Sequence, residues 1–216
     1  TSYSGLWHIL AVGLPSDFPC NVADETGPAI AVRALEAGAF VAAAHPAWYN
    51  LCEAVVLSLG AVHAIEIYNG ISADHNDRPD SWYMLDALLA QGQRYLAIAT
   101  DDAHFHPRHA DVLRGWVQVK GETLTTEAIL ESLKQGHFYS STGPMIHDIQ
   151  VEPGKTLTVR CTPAHHIFVT GQGWLARQAH GHGLRSAEFD LSDFDSPYCR
   201  VTVRNAHGER AWSNPI

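Results

Sequence analysis

The sequence predicts an α/β protein in two parts, a parallel sheet flanked by helices over residues 1–144 and a small antiparallel β-sandwich over residues 145–216. Three observations carry this expectation. Between residues 25 and 140 short apolar runs alternate with helix-patterned segments, which implies parallel strands covered on both faces. Three of those runs end in polar residues of the metal-ligand type. Beyond Gly143-Pro144 the helical pattern stops, and short strand-like runs separated by turn residues take over.

The chain opens on Thr1-Ser-Tyr-Ser-Gly without an initiator Met or a signal peptide, and reads like the middle of a domain. Trp7-His8-Ile9-Leu10 begins an apolar strand. Residues 25–37 carry apolar positions at helical spacing (Ala29, Val32, Leu35) and lead through Gly38 into Phe40-Val-Ala-Ala-Ala-His45-Pro46, a buried strand with a polar tip. Ala64-Ile-Glu66-Ile-Tyr-Asn69-Gly70 repeats that event, and a helix over 81–90 follows it. Tyr95-Leu-Ala-Ile-Ala-Thr-Asp101-Asp102-Ala-His104 repeats it again. Residues 115–120 read as a fourth parallel strand, and 126–135 as a helix started by Thr125 or Thr126 and stopped by Gly136. The second part is expected to hold strands at 146–151, 157–161, 166–170, 187–191 and 199–203.

Composition narrows the function classes. A net charge of −9 argues against a nucleic-acid partner, because phosphate backbones are bound by basic surfaces. No run of about 18 apolar residues is present, so no membrane-spanning helix is expected. Cys20, Cys52, Cys161 and Cys199 form no CxxC pair; they read as reduced residues, with a Cys161–Cys199 bridge as the alternative in an exported protein. Histidine is abundant, its 14 residues equalling Lys plus Arg, which suggests a site built on imidazole. Neither a Gly-x-Ser-x-Gly elbow nor a P-loop occurs, so a serine nucleophile and a nucleotide cradle are unsupported.

The residues that carry chemistry sit at the strand tips. Asp102-x-His104 on an extended segment places carboxylate and imidazole on one face, where they can share a metal. His45 ends another buried strand, with Pro46 stiffening the turn. In open or closed parallel sheets, sites collect at the carboxyl ends of the strands, which is where both lie. His8 is a further candidate ligand.

These segments together resemble the PHP (polymerase and histidinol phosphatase) family, in its branch of metal-dependent phosphoesterases and carbaryl-hydrolase-like proteins. The likeness rests on Ala44-His45-Pro46, Ile65-Glu66-Ile67-Tyr68-Asn69, Ala99-Thr100-Asp101-Asp102-Ala103-His104, Gly136-His137-Phe138-Tyr139-Ser140-Ser141-Thr142-Gly143-Pro144 and Ala211-Trp212-Ser213-Asn214-Pro215. The resemblance implies a partial distorted (β/α)7 TIM-like barrel holding two or three divalent ions (Zn, Mn or Fe). It implies His8, His45, Asp102 and His104 as metal ligands, and Glu66, Asn69 and His75 near the metals. PHP proteins begin with a His-x-His strand and further ligands ahead of the segment that aligns with Thr1. The chain is therefore expected to be an N-terminally truncated piece lacking about the first third of the domain and half of the ligands.

The expected activity is hydrolysis of a small-molecule phosphate ester by a metal-activated water. Asp102 and His104 act as catalytic residues, and Asp101 supports them from behind. Two other readings stand beside it. One is a carboxyl-ester, carbamate or amide hydrolase with an aromatic channel of Trp7, Trp48, Tyr49 and Trp82. The other is a non-catalytic binding protein whose β domain takes sugar or polymer.

Overall fold

A computed structural model describes residues 7–20, 22–105 and 110–216. The first sheet has four strands in the order β1-β2-β3-β4. β1 (Ile9–Val12) runs antiparallel to β2 (Phe40–Ala43). Between them lies α1 (Gly27–Glu36), started by Thr26, whose hydroxyl accepts the Ala29 N–H, and by Pro28 in the first turn. α2 (Glu53–Ser58) leads to β3 (Ala64–Asn69), parallel to β2. α3 (Gly70–His75) and α4 (Trp82–Ala90) lead to β4 (Leu96–Thr100), parallel to β3. The apolar runs of β2 and β3 are inaccessible on both faces: Val41, Ala42, Ile65 and Ile67 expose nothing.

The rest of the chain overturns the expected α/β barrel. β5 (Trp116–Val119), anticipated as the next parallel strand, pairs antiparallel with β6 (Phe138–Ser141) and belongs to a second sheet. That sheet has seven strands in the order β5-β6-β11-β10-β8-β7, with β9 also on β8. Among the described residues strand (36%) outweighs helix (20%), and no (β/α) barrel pattern is present. A barrel grows only if each new strand adds parallel to the last, which needs a helical crossover of a dozen residues or more. Between β4 and β5 no helix occurs among the described residues, and β1 enters antiparallel. The apolar pattern of residues 115–120 reports a buried strand and is silent on its neighbour.

α5 (Thr126–Lys134) joins β5 to β6, with the Thr125 hydroxyl accepting the Ala128 N–H and Gly136 turning the chain at φ +74°. β7 (Ile146–Glu152) precedes two 15-residue strands, β8 (Thr156–Thr170) and β9 (Ala176–Asp190). β8 bends at register shifts between Arg160 and His166, so two expected strands become one. One side of it is paired with β9, and the other is shared by β7 and by β10 (Arg200–Arg204). β11 (Arg210–Ser213), which the sequence pattern had missed, bridges β10 to β6.

Side chains fasten the two sheets. Ala97 on β4 donates its N–H to Asn214 Oδ1 and accepts the Ser140 hydroxyl, each at 2.8 Å. Asn214 also donates to the carbonyls of Gly136 and Phe138, both at 2.9 Å. Trp212 packs against Tyr68 and Trp82, and Arg200 forks onto Asp86 of α4 at 2.8 and 2.6 Å. All four cysteines are free, Cys161 and Cys199 included. No helix among the described residues is long and apolar enough to cross a membrane.

Candidate metal-binding site

The carboxyl ends of β2, β3 and β4 bring His45, Glu66, Asn69 and Asp102 together, and the residue ahead of β1 adds His8. His45 takes a left-handed conformation, φ +27°, which is rare for a residue with a Cβ and has to be held by its surroundings. What holds it is the buried carboxylate of Glu66, which accepts the His45 N–H at 2.6 Å. Glu66 is 1% exposed, and it also accepts the Thr100 hydroxyl at 2.5 Å and the Asn69 amide at 3.1 Å. Burial raises its pKa to about 7 against the pull of those three hydrogen bonds, and the nearby charge of Asp102 adds to the rise.

His45 Nε2 faces His8 Nδ1 at 2.7 Å and Asp102 Oδ2 at 3.9 Å. Asn69 donates to the same Asp102 oxygen at 3.2 Å, while its own carbonyl oxygen accepts the Ser72 N–H at the start of α3. The amide thus aims the carboxylate and starts a helix with its two ends. Burial, and next the proximity of His8, lower the pKa of His45 and keep it neutral, the state in which imidazole binds metal. Its other nitrogen, Nδ1, is buried with no hydrogen-bond partner among the described residues. Tyr49 and Trp48 stand beside the ring at 5.5 and 5.9 Å between centroids.

The other expected site residues are placed differently. Asp102 has φ +54°, so residues 102–104 are not extended and the period-two geometry does not apply to them. His104 is exposed, and its Nδ1 lies 2.7 Å from the Asp102 carbonyl. Asp101 accepts the backbone N–H groups of Leu113, Arg114 and Gly115 at 2.8, 2.5 and 2.8 Å, anchoring the loop that returns to β5. His75 is exposed at the end of α3, its ring 6.0 Å from that of Trp48. Of the aromatic residues, Trp82 is buried in the core under Arg200, whereas Trp7 lines a cavity of about 680 Å³ beside His8 together with Leu14, Phe18 and Ile30. Thr100, whose hydroxyl secures Glu66, had gone unnoticed in the sequence; its only signal is a polar residue closing an apolar strand.

Two imidazole nitrogens and a carboxylate oxygen from three separate segments make a donor set suited to Zn, Mn or Fe. Among the described residues no three His, Cys, Asp or Glu side chains are already assembled around one point. His8 and His45 are in contact, Asp102 stops short of them, and Glu66 is committed to its hydrogen bonds. His8, His45 and Asp102 are the residues that could hold an ion, once Asp102 closes the 3.9 Å gap to His45.

No family model, no curated protein and no solved structure matches this chain.

Proposed function

We propose that this chain is a metal-dependent hydrolase acting on a small-molecule phosphate ester, with His8, His45 and Asp102 as its metal ligands. The observation that carries the reading is the convergence of His8 Nδ1, His45 Nε2 and Asp102 Oδ2 at the carboxyl ends of parallel strands. A divalent ion there supplies a Lewis acid for the ester oxygen and lowers the cost of deprotonating a water. The chain's own residues do the positioning. Glu66 fixes the backbone of His45, Asn69 holds Asp102 toward it, and Trp48 and Tyr49 wall off one side of the ring. Asp102, with 27% of its side chain exposed, retains the freedom to close the 3.9 Å gap. Phosphate is the favoured substrate class because hard divalent ions pair with phosphoryl oxygens.

A specific observation favours a second reading. The apolar cavity beside His8 suits the hydrocarbon part of a carboxyl ester, carbamate or amide. Turnover of p-nitrophenyl phosphate, bis-p-nitrophenyl phosphate and p-nitrophenyl acetate, each with added Mn2+ or Zn2+, separates the two. The expected result is metal-dependent release from a phosphate ester, abolished in His45→Ala and Asp102→Asn proteins that keep the wild-type circular dichroism. Release from the acetate alone shifts the assignment to the second reading, and no metal-dependent release from any of the three overturns both.

A further inference from the structure

The long β8–β9 ribbon carries four histidines, His165, His166, His180 and His182, on the sheet that takes no part in the site above. Strand alternation sends His165 and His166 to opposite faces, and with His180 and His182 of β9 they form two cross-strand pairs. His166 is in register with His180, their ring centroids 6.3 Å apart. His165 and His182 are closer: their centroids are 4.8 Å apart, the rings nearly perpendicular, and His182 Nδ1 lies 3.3 Å from His165 Nε2.

A local irregularity makes that second pair. Between the partners Ala164–Leu184 and His166–His180, β8 spends only His165, whereas β9 spends Gly181-His182-Gly183. Gly183 has φ +68°, a conformation open to glycine, and the bulge turns His182 onto the face of His165. As a hydrogen bond the contact is weak, since 3.3 Å is long for an N–H donor and water competes at an exposed site. The same separation suits chelation. Two imidazole nitrogens bound at about 2.0–2.1 Å in a tetrahedral site lie roughly 3.3–3.4 Å apart.

We propose that His165 and His182 form a second metal site, one that binds a divalent transition-metal ion such as Zn2+ through His165 Nε2 and His182 Nδ1, with water in the remaining positions. The site is independent of the one at His8, His45 and Asp102.

Calorimetric titration of the chain with Zn2+ tests it. Wild-type protein and His180→Ala are expected to show an equivalent of bound Zn2+ that persists in His45→Ala. In His165→Ala and in His182→Ala its affinity falls by at least about tenfold, because loss of a direct ligand costs no less than loss of a residue that merely orients one. In a His45→Ala background the same ion raises the unfolding temperature, and it fails to do so once His165 or His182 is also replaced. His182 is exposed, so its replacement leaves the fold intact. Equal Zn2+ affinity in wild type, His165→Ala and His182→Ala overturns the proposal, as does equal loss in His180→Ala.

Discussion

Two successive aspartates after β4 do different work, and the difference is measurable. Asp101 accepts three backbone N–H groups of the returning loop, and Asp102 faces His45. Asp101→Ala is expected to cost about 2–3 kcal/mol in urea unfolding, since hydrogen bonds to a charged acceptor are the strong ones. Asp102→Asn is expected to change stability by no more than about 0.5 kcal/mol while removing metal binding. Asn69→Ala, which frees the Asp102 carboxylate, should weaken metal binding roughly 10- to 100-fold in a dialysis or titration measurement. A different histidine, His63, contributes its own share of the pH dependence. His63 Nδ1 accepts the Val41 N–H and its ring stacks on Phe40; burial, helped by Lys134, holds its pKa below the ordinary 6.5. The unfolded chain therefore takes up that proton first. The stability His63 contributes is complete above pH 6.5 and is lost as pH falls below it. Urea midpoints between about pH 7 and pH 5 should drop more steeply for wild type than for His63→Asn, which keeps an acceptor but does not titrate. At this scale the residue types were legible. His45 and Asp102 drew notice as ligands at strand tips, whereas the positive φ of Asp102, which breaks the extended geometry expected of residues 102–104, is contained in no spacing rule.

At the scale of elements, β4 shows how an edge strand is finished without another strand. Its Ala97 N–H and C=O are met by Asn214 and Ser140 side chains from the second sheet. Asn214 serves three backbone groups and is 8% exposed, so Asn214→Ala leaves buried groups unpaired and should cost about 3 kcal/mol by denaturant titration. Ser140→Ala removes one bond and should cost less. The longer helices α1, α4 and α5 were readable, whereas the six-residue α2 and α3 were not anticipated. α1 and α5 have apolar stripes, threonine starts and glycine stops, all local signals that packing reinforces. β9 was the least readable, with only 187–191 anticipated. Ala-Arg-Gln-Ala-His-Gly-His-Gly over its first half has little strand character, and it is a strand because β8 offers it a continuous ladder.

At the scale of the whole molecule the two sheets depend on each other. β6 is paired on one side by β11, and Trp212 of β11 sits in the same core as Trp82 and Ile67. The Arg200–Asp86 fork adds a part-buried ion pair across the junction. A fragment of residues 1–144 keeps β5 and β6 but loses β11, Trp212 and Asn214. It is expected to show no cooperative unfolding transition by circular dichroism, whereas independent folding would mean that the junction contributes little.

The sequence by itself determined where apolar strands would be buried, where α5 would start and stop, and that ligand-type residues would lie at the carboxyl ends of β2, β3 and β4. It did so because burial, capping and side-chain chemistry are properties of local runs of residues. Only the tertiary structure decided that β5 leaves the parallel sheet, that β1 enters it antiparallel, and that the Asp102 carboxylate faces His45. Backbone hydrogen bonds pair strands irrespective of side chain, so an apolar run encodes that it is covered without encoding what covers it.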